Sequence, residues 1–126
     1  ENRPWGWFET IAEGETFHVK ILHVDPGGRL SLQSHRHRSE HWVVVKGEAT
    51  VVNSEQEFKL QSNESTYIDA GAKHQLHNDS NEELEIIEVQ TGSYFGEDDI
   101  LRYDVLYERI YIYSTGIKFN KQVLIG

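Results

Sequence analysis

Residues 30–37 constrain this chain most. In an extended strand successive side chains point to opposite faces. Leu30, Leu32 and Ser34 then share one face, and Ser31, Gln33, His35 and His37 share the other. A strand with one apolar face and one histidine-bearing polar face belongs in an all-β structure. Polar side chains facing its interior make sense only if something binds between them.

The flanking segments read the same way. Residues 17–24 alternate, with Phe17, Val19 and Ile21 set against His18, Lys20 and Leu22. Asp25-Pro26-Gly27-Gly28 is a turn, with proline pre-set and glycine free to take positive φ. Residues 40–45 make a strand closed by Lys46-Gly47. Residues 49–53 and 57–60 make a hairpin, and residues 66–68 stop at Asp69-Ala70-Gly71. Residues 74–78 and 84–90 flank the turn Asp79-Ser80-Asn81-Glu82. No window sustains a helical period, and residues 97–106 have room for one helical turn. Short strands at regular spacing predict a mostly antiparallel all-β sandwich or barrel with little helix.

The chain of 126 residues suits a single domain, with a core over about 17–104, an N-terminal arm 1–16 and a tail 105–126. Trp5, Trp7 and Phe8 are expected to cover an open end of a sheet. In the tail, residues 110–113 and 117–119 read as strand pieces around Ser114-Thr115-Gly116. A lone hairpin there would be a sticky edge, so it is expected to pack on the barrel or on a second subunit. That tail and the aromatic arm together predict a homodimer.

A net charge of −9 argues against nucleic acid and anionic membranes as partners. A small anionic substrate needs only a local basic pocket and is not excluded. With no cysteine there is no disulfide or thiolate metal site. No apolar run approaches the roughly 20 residues of a membrane span, and no signal peptide is visible, so a cytoplasmic protein is the default expectation. The absent initiator methionine suggests a trimmed start or an excised domain. No glycine-rich phosphate loop points to nucleotide chemistry.

His35 and His37 aim the same way if their strand stays extended. Glu40 and His41 follow, and His74 and His77 arrive much later. Two imidazoles, a carboxylate or third imidazole and one more distant histidine make a facial cluster with open coordination positions, as a catalytic metal needs. Such ligands suit one divalent ion: zinc, manganese, iron, cobalt or nickel. Adjacent strand residues face opposite sides, so only one of Glu40 and His41 should reach the ion. His18 and His23 have no partner nearby in sequence and are expected to be solvated or internally satisfied.

The words around these residues are specific. Arg3-Pro4-Trp5-Gly6, then residues 28–33, then His35-Arg36-His37-Arg38-Ser39-Glu40-His41-Trp42, and finally Gly96-Glu97-Asp98-Asp99-Ile100 resemble the C-terminal cupin domain of type II mannose-6-phosphate isomerases. That domain is often fused behind a mannose-1-phosphate guanylyltransferase. The resemblance covers roughly residues 3–104. It implies a cupin fold, a double-stranded β-helix or jelly-roll barrel, and metal-dependent interconversion of mannose 6-phosphate and fructose 6-phosphate, in carbohydrate metabolism leading to GDP-mannose. It implies His35, His37, Glu40 and His74 as metal ligands. Glu40 stands seven residues before Gly47, as in the first cupin motif, while His41 stands four after His37 and remains the alternative. His74 fits the Gly-x-x-His step after Gly71. His41 or Gln33 would assist catalysis, and Arg3, Arg38, Lys73 and Arg102 would hold the phosphate. The other readings are a non-catalytic sugar- or metal-binding cupin partnering a guanylyltransferase, and another metal-dependent cupin enzyme such as a dioxygenase or epimerase. The sequence departs from the family at Ser34, Val105 and Glu108, which bears on substrate identity.

Overall fold

The computed structural model describes residues 1–103 together with 110–111 and 122–123. Its strands are β1 (Asn2–Arg3), β2 (Gly6–Glu13), β3 (Phe17–Val24), β4 (Gln33–His35), β5 (Arg38–Lys46), β6 (Ala49–Asn53), β7 (Gln56–Leu60), β8 (Ser65–Ile68), β9 (His74–His77), β10 (Leu84–Gly92) and β11 (Ile100–Arg102). One 3-10 turn, Glu97–Asp99, precedes β11. β12 (Ile110–Tyr111) pairs with β13 (Gln122–Val123). The rest of the expected tail strands, residues 112–113 and 117–119, lies outside the described residues. Among the described residues no helix is long and apolar enough to cross a membrane.

The strands form a sheet in the order β1-β2-β3-β10-β5-β8 and a second in the order β11-β4-β9-β6-β7. Every pairing is antiparallel. Neighbours far apart in sequence, such as β3 with β10 and β4 with β9, arise because the chain passes back and forth between the sheets. This is the double-stranded β-helix that the resemblance implies.

The space between the sheets has an apolar end and a polar end, and strand register sets the border. Ile86 stands opposite both Val44 and Leu22; one step on, Glu88 stands opposite Trp42 and Lys20, and Gln90 opposite Glu40 and His18. The apolar end buries Leu22, Val24, Trp42, Val44, Ile68, Leu84 and Ile86 against Ala49, Val51, Leu60 and Leu76 of the second sheet. Each of the larger side chains contributes about 1.5–3 kcal/mol on leaving water. The polar end is then free to carry function.

The arm is spent within the molecule. β1 and β2 form a hairpin at the edge of the first sheet, Trp5 and Phe8 pack on the core, and Trp7 stacks on His23 across the outer face, 5.2 Å between centroids.

The expected strand over residues 30–37 is shorter than its pattern. Only Gln33–His35 is extended in a ladder, while Arg29 makes a single bridge to His77 and residues 36–37 bend. The cause lies far along the chain. The Asp99 carboxylate accepts from the backbone N–H groups of Arg36 and His37, at 3.1 and 2.9 Å. A carboxylate taking two successive N–H groups removes them from any ladder and turns the chain.

Candidate metal centre

His35, Glu40 and His74 bring one ligand atom each to within 4.8 Å of one another, and all three residues are buried. β4 supplies His35, β5 supplies Glu40, and β9 supplies His74 after the turn at Gly71, whose φ of 86° suits glycine. The Nε2 atoms of His35 and His74 lie 3.1 and 3.8 Å from the two Glu40 oxygens.

The surroundings suit a metal. His74 Nδ1 donates to the Ala72 carbonyl at 3.0 Å, which leaves the Nε2 lone pair facing the cluster. Burial pushes the His74 pKa below the usual histidine value, against the opposing pull of Glu40. Burial alone would raise the Glu40 pKa. The His35 hydrogen bond, then the electrostatic pull of His74 and His35, outweigh it and hold the carboxyl well below its usual range. Trp42 Nε1 donates to Glu40 Oε1 at 2.8 Å, and Gln90 Nε2 to Glu40 Oε2 at 2.9 Å, fixing the carboxylate plane. Gln90 Nε2 also reaches Glu88 Oε2 at 2.7 Å. Burial, then the Glu40 charge, raise the Glu88 pKa well above the usual value.

Arg38 sits less comfortably. Its Nη2 lies 3.1 Å from His35 Nδ1, and a guanidinium only donates. His35 therefore carries its proton on Nε2, toward Glu40. A metal taking Nε2 needs that proton to leave or to move to Nδ1, and Arg38 to give up the contact. Arg38 Nε and Gln90 Oε1 are buried with no hydrogen-bond partner among the described residues.

The structure brings together three of the four ligands expected from the sequence. His37 is the correction: after the bend its ring meets Asp99 Oδ1 at 3.0 Å, with the side chain 51% exposed. Parity fails because the strand ends at His35. His41 is exposed on the outer face against Tyr67, at 4.6 Å between ring centroids, so it is neither the third ligand nor a group of the cavity. His77 turns to Asp79, at 2.9 Å.

The cluster opens on a cavity of about 800 Å³. Gln33, Arg3, Arg38 and Arg102 line it, whereas Lys73 is not among its lining residues and holds its Nζ 4.5 Å from the centre of the Tyr103 ring. Lys20, Arg29, Glu88 and Gln90 also line it and were missed from the sequence. A signal existed for two of them: Glu88 and Gln90 are polar breaks in the otherwise apolar face that begins with Leu84 and Ile86.

A double-stranded β-helix with a buried His/Glu/His set at its polar end is a cupin with a candidate metal centre. The chain belongs to the "Mannose-6-phosphate isomerase C-terminal" family, whose model matches residues 1–105. It is 51% identical over 107 residues to the xanthan biosynthesis protein XanB of Xanthomonas campestris pv. campestris, covering 85% of this chain and 23% of that protein. It is 50% identical over 100 residues to a mannose-1-phosphate guanylyltransferase of Sinorhizobium fredii, covering 79% of this chain and 20% of that protein. The chain thus spans less than a quarter of the length of these relatives. Among solved structures it is similar to a double-stranded β-helix protein from Klebsiella pneumoniae, with TM-score 0.71, 18% identity, and 81% and 87% of the two chains covered. At that identity the likeness shows the fold.

Proposed function

We propose that this chain is a metal-dependent isomerase interconverting mannose 6-phosphate and fructose 6-phosphate or a close sugar phosphate. The observation that carries the reading is the buried His35–Glu40–His74 set, facing a cavity lined by cationic side chains in a chain of net charge −9. These three residues would hold one divalent ion, which would supply Lewis-acid chemistry to the isomerisation. Trp42 and Gln90 keep Glu40 oriented. Moving a proton between C2 and C1 needs a group in the cavity, and His41 faces outward. Glu88, bridged to Glu40 by Gln90, is the buried carboxyl of the wall left for that role. Gln33, whose Nε2 donates to Ser31 Oγ at 2.9 Å, would orient a sugar hydroxyl.

A coupled assay supplying fructose 6-phosphate or mannose 6-phosphate tests this. Turnover that a chelator abolishes and one divalent ion restores supports it. Metal bound at the cluster with no turnover of any hexose phosphate favours the second reading, a binding module that serves a guanylyltransferase. The support for that reading is the guanylyltransferase relative, of which this chain matches only a fifth.

A further inference from the structure

Cations in an acidic protein usually find carboxylates or other partners, and most of the described ones do. Arg3 pairs with Glu1 and lies over Phe8. Lys20 lies over the same Phe8 ring and stands opposite Glu88. Arg38 is spent on His35, Lys46 on Glu83, Lys59 on Thr50 and Lys73 on Tyr103. Three arginine side chains make no hydrogen bond, salt bridge or ring contact among the described residues: Arg29, Arg36 and Arg102. Two of these, Arg29 and Arg102, line the cavity, and Arg36 does not. Glu97 shares that wall and bridges to neither.

Strand geometry places both arginines relative to the cluster. Arg102 stands opposite Gln33, and Gln33 stands opposite His74, so Arg102 is two strands from a cluster ligand. At about 4.8 Å per strand that is about 10 Å of backbone. Arg29 stands opposite His77, one strand across and three residues along β9 from His74, about 11 Å of backbone. An arginine side chain reaches back over most of such a distance. The cluster and both arginines line the same cavity, which has room for the reacting end and the charged end of one small phosphorylated molecule.

We propose that Arg29 and Arg102 clamp the phosphate of the substrate, with Arg29 as the member the sequence reading did not assign. Arg3, Arg38 and Lys73 are left to the contacts they already make. The proposal rests on the sugar-phosphate reading above and assigns its anionic end. A fork of fixed N–H donors suits a phosphate better than a lysine would.

The test uses the metal-loaded full chain with three variants, Arg29→Met, Arg102→Met and Arg36→Met. Two quantities are measured: binding of inorganic phosphate by calorimetry, and KM and kcat for mannose 6-phosphate. Arg29→Met and Arg102→Met should each weaken phosphate binding about tenfold and raise KM about tenfold, with kcat changed little. Arg36→Met removes the same charge outside the cavity and should change neither quantity. Arg29→Lys, which keeps the charge, serves if Arg29→Met does not fold, and should still weaken phosphate binding severalfold. An unchanged phosphate affinity in the Arg29 variants overturns the clamp, and so does an equal loss in Arg36→Met. Phosphate binding that depends on Arg29, in a protein that turns over no hexose phosphate, keeps the clamp and removes the isomerase reading.

Discussion

At the scale of single residues, the ligand set makes a sharp prediction. Glu40→Gln and His74→Ala each remove a donor from the cluster. Changing only an outer partner of a metal ligand typically costs 10–100-fold in affinity, so losing a ligand should cost more than about a hundredfold. His37→Ala should leave the affinity within a few-fold, since that ring lies against Asp99 rather than at the cluster. Metal titration of the three variants checks this, and metal loss in His37→Ala comparable to His74→Ala would contradict it. Asp99 carries a second prediction. Burial raises its pKa, but hydrogen bonds from the backbone and ring of His37 and the backbone of Arg36 lower it further, for a net value below the ordinary 3.8. A depressed carboxylate contributes stability that is present above its unfolded pKa and lost as pH falls through the folded one. Asp99→Asn should therefore cost about 1–3 kcal/mol at pH 7. The gap from the parent should close below the ordinary aspartate range. Chemical denaturation of both proteins at pH 7 and near pH 2 reads this directly.

At the scale of elements, the join between β5 and β10 holds the site together. It places Glu40 opposite Gln90 and Arg38 opposite Gly92. A Cβ on Gly92 would overlap the His37 carbonyl oxygen and come within 2.7 Å of Arg38 Cα. Both neighbours are backbone, so the strands themselves must move. Gly92→Ala should cost about 1–3 kcal/mol of stability, as overpacking does. It should also weaken metal binding, because the displaced strand carries Gln90, which orients Glu40. A melting curve with a metal titration tests both, and full stability with unchanged affinity would show that the join is softer than argued. The bend after β4 teaches the complementary lesson. The alternation in residues 30–37 is real, but alternation describes where side chains point if a strand continues. Whether it continues was decided by Asp99, 62 residues from His37.

At the scale of the whole molecule, the outer face of the six-stranded sheet carries a row of apolar side chains. Parity that sends Leu22, Val44 and Ile86 inward sends Val19, Ile21, Val43, Ile87 and Val89 outward. Register lines them up, with Ile87 opposite both Val43 and Ile21 and Val89 opposite Val19. They are half-buried, with Val45 and Tyr67 exposed beside them. A homodimer through this face is the expected assembly, because one apolar patch meeting its own copy satisfies twofold symmetry. Trp5 and Phe8, being packed on the core, are not free to form it. Sedimentation at micromolar concentration should show a dimer that Ile87→Lys converts to monomer; a monomeric parent would end this expectation.

What the sequence determined by itself was local. Side-chain parity divided the faces of β3, β5 and β10, and turn residues such as Pro26, Gly47 and Gly71 marked where strands stop. These follow from backbone sterics and from the period of two, which need only near neighbours. His35, Glu40 and His74 were legible because the family's words mark them and parity separates Glu40 from His41. Only the tertiary structure decided which strands lie side by side, and with that the rest of the cavity wall. Glu88, Gln90, Lys20 and Arg29 gain their meaning from the strand beside them, and His37 lost its expected role to an aspartate on a distant turn. Strand pairing and buried carboxylates are long-range contacts, chosen by the packing of the whole chain, and no short window of sequence contains them.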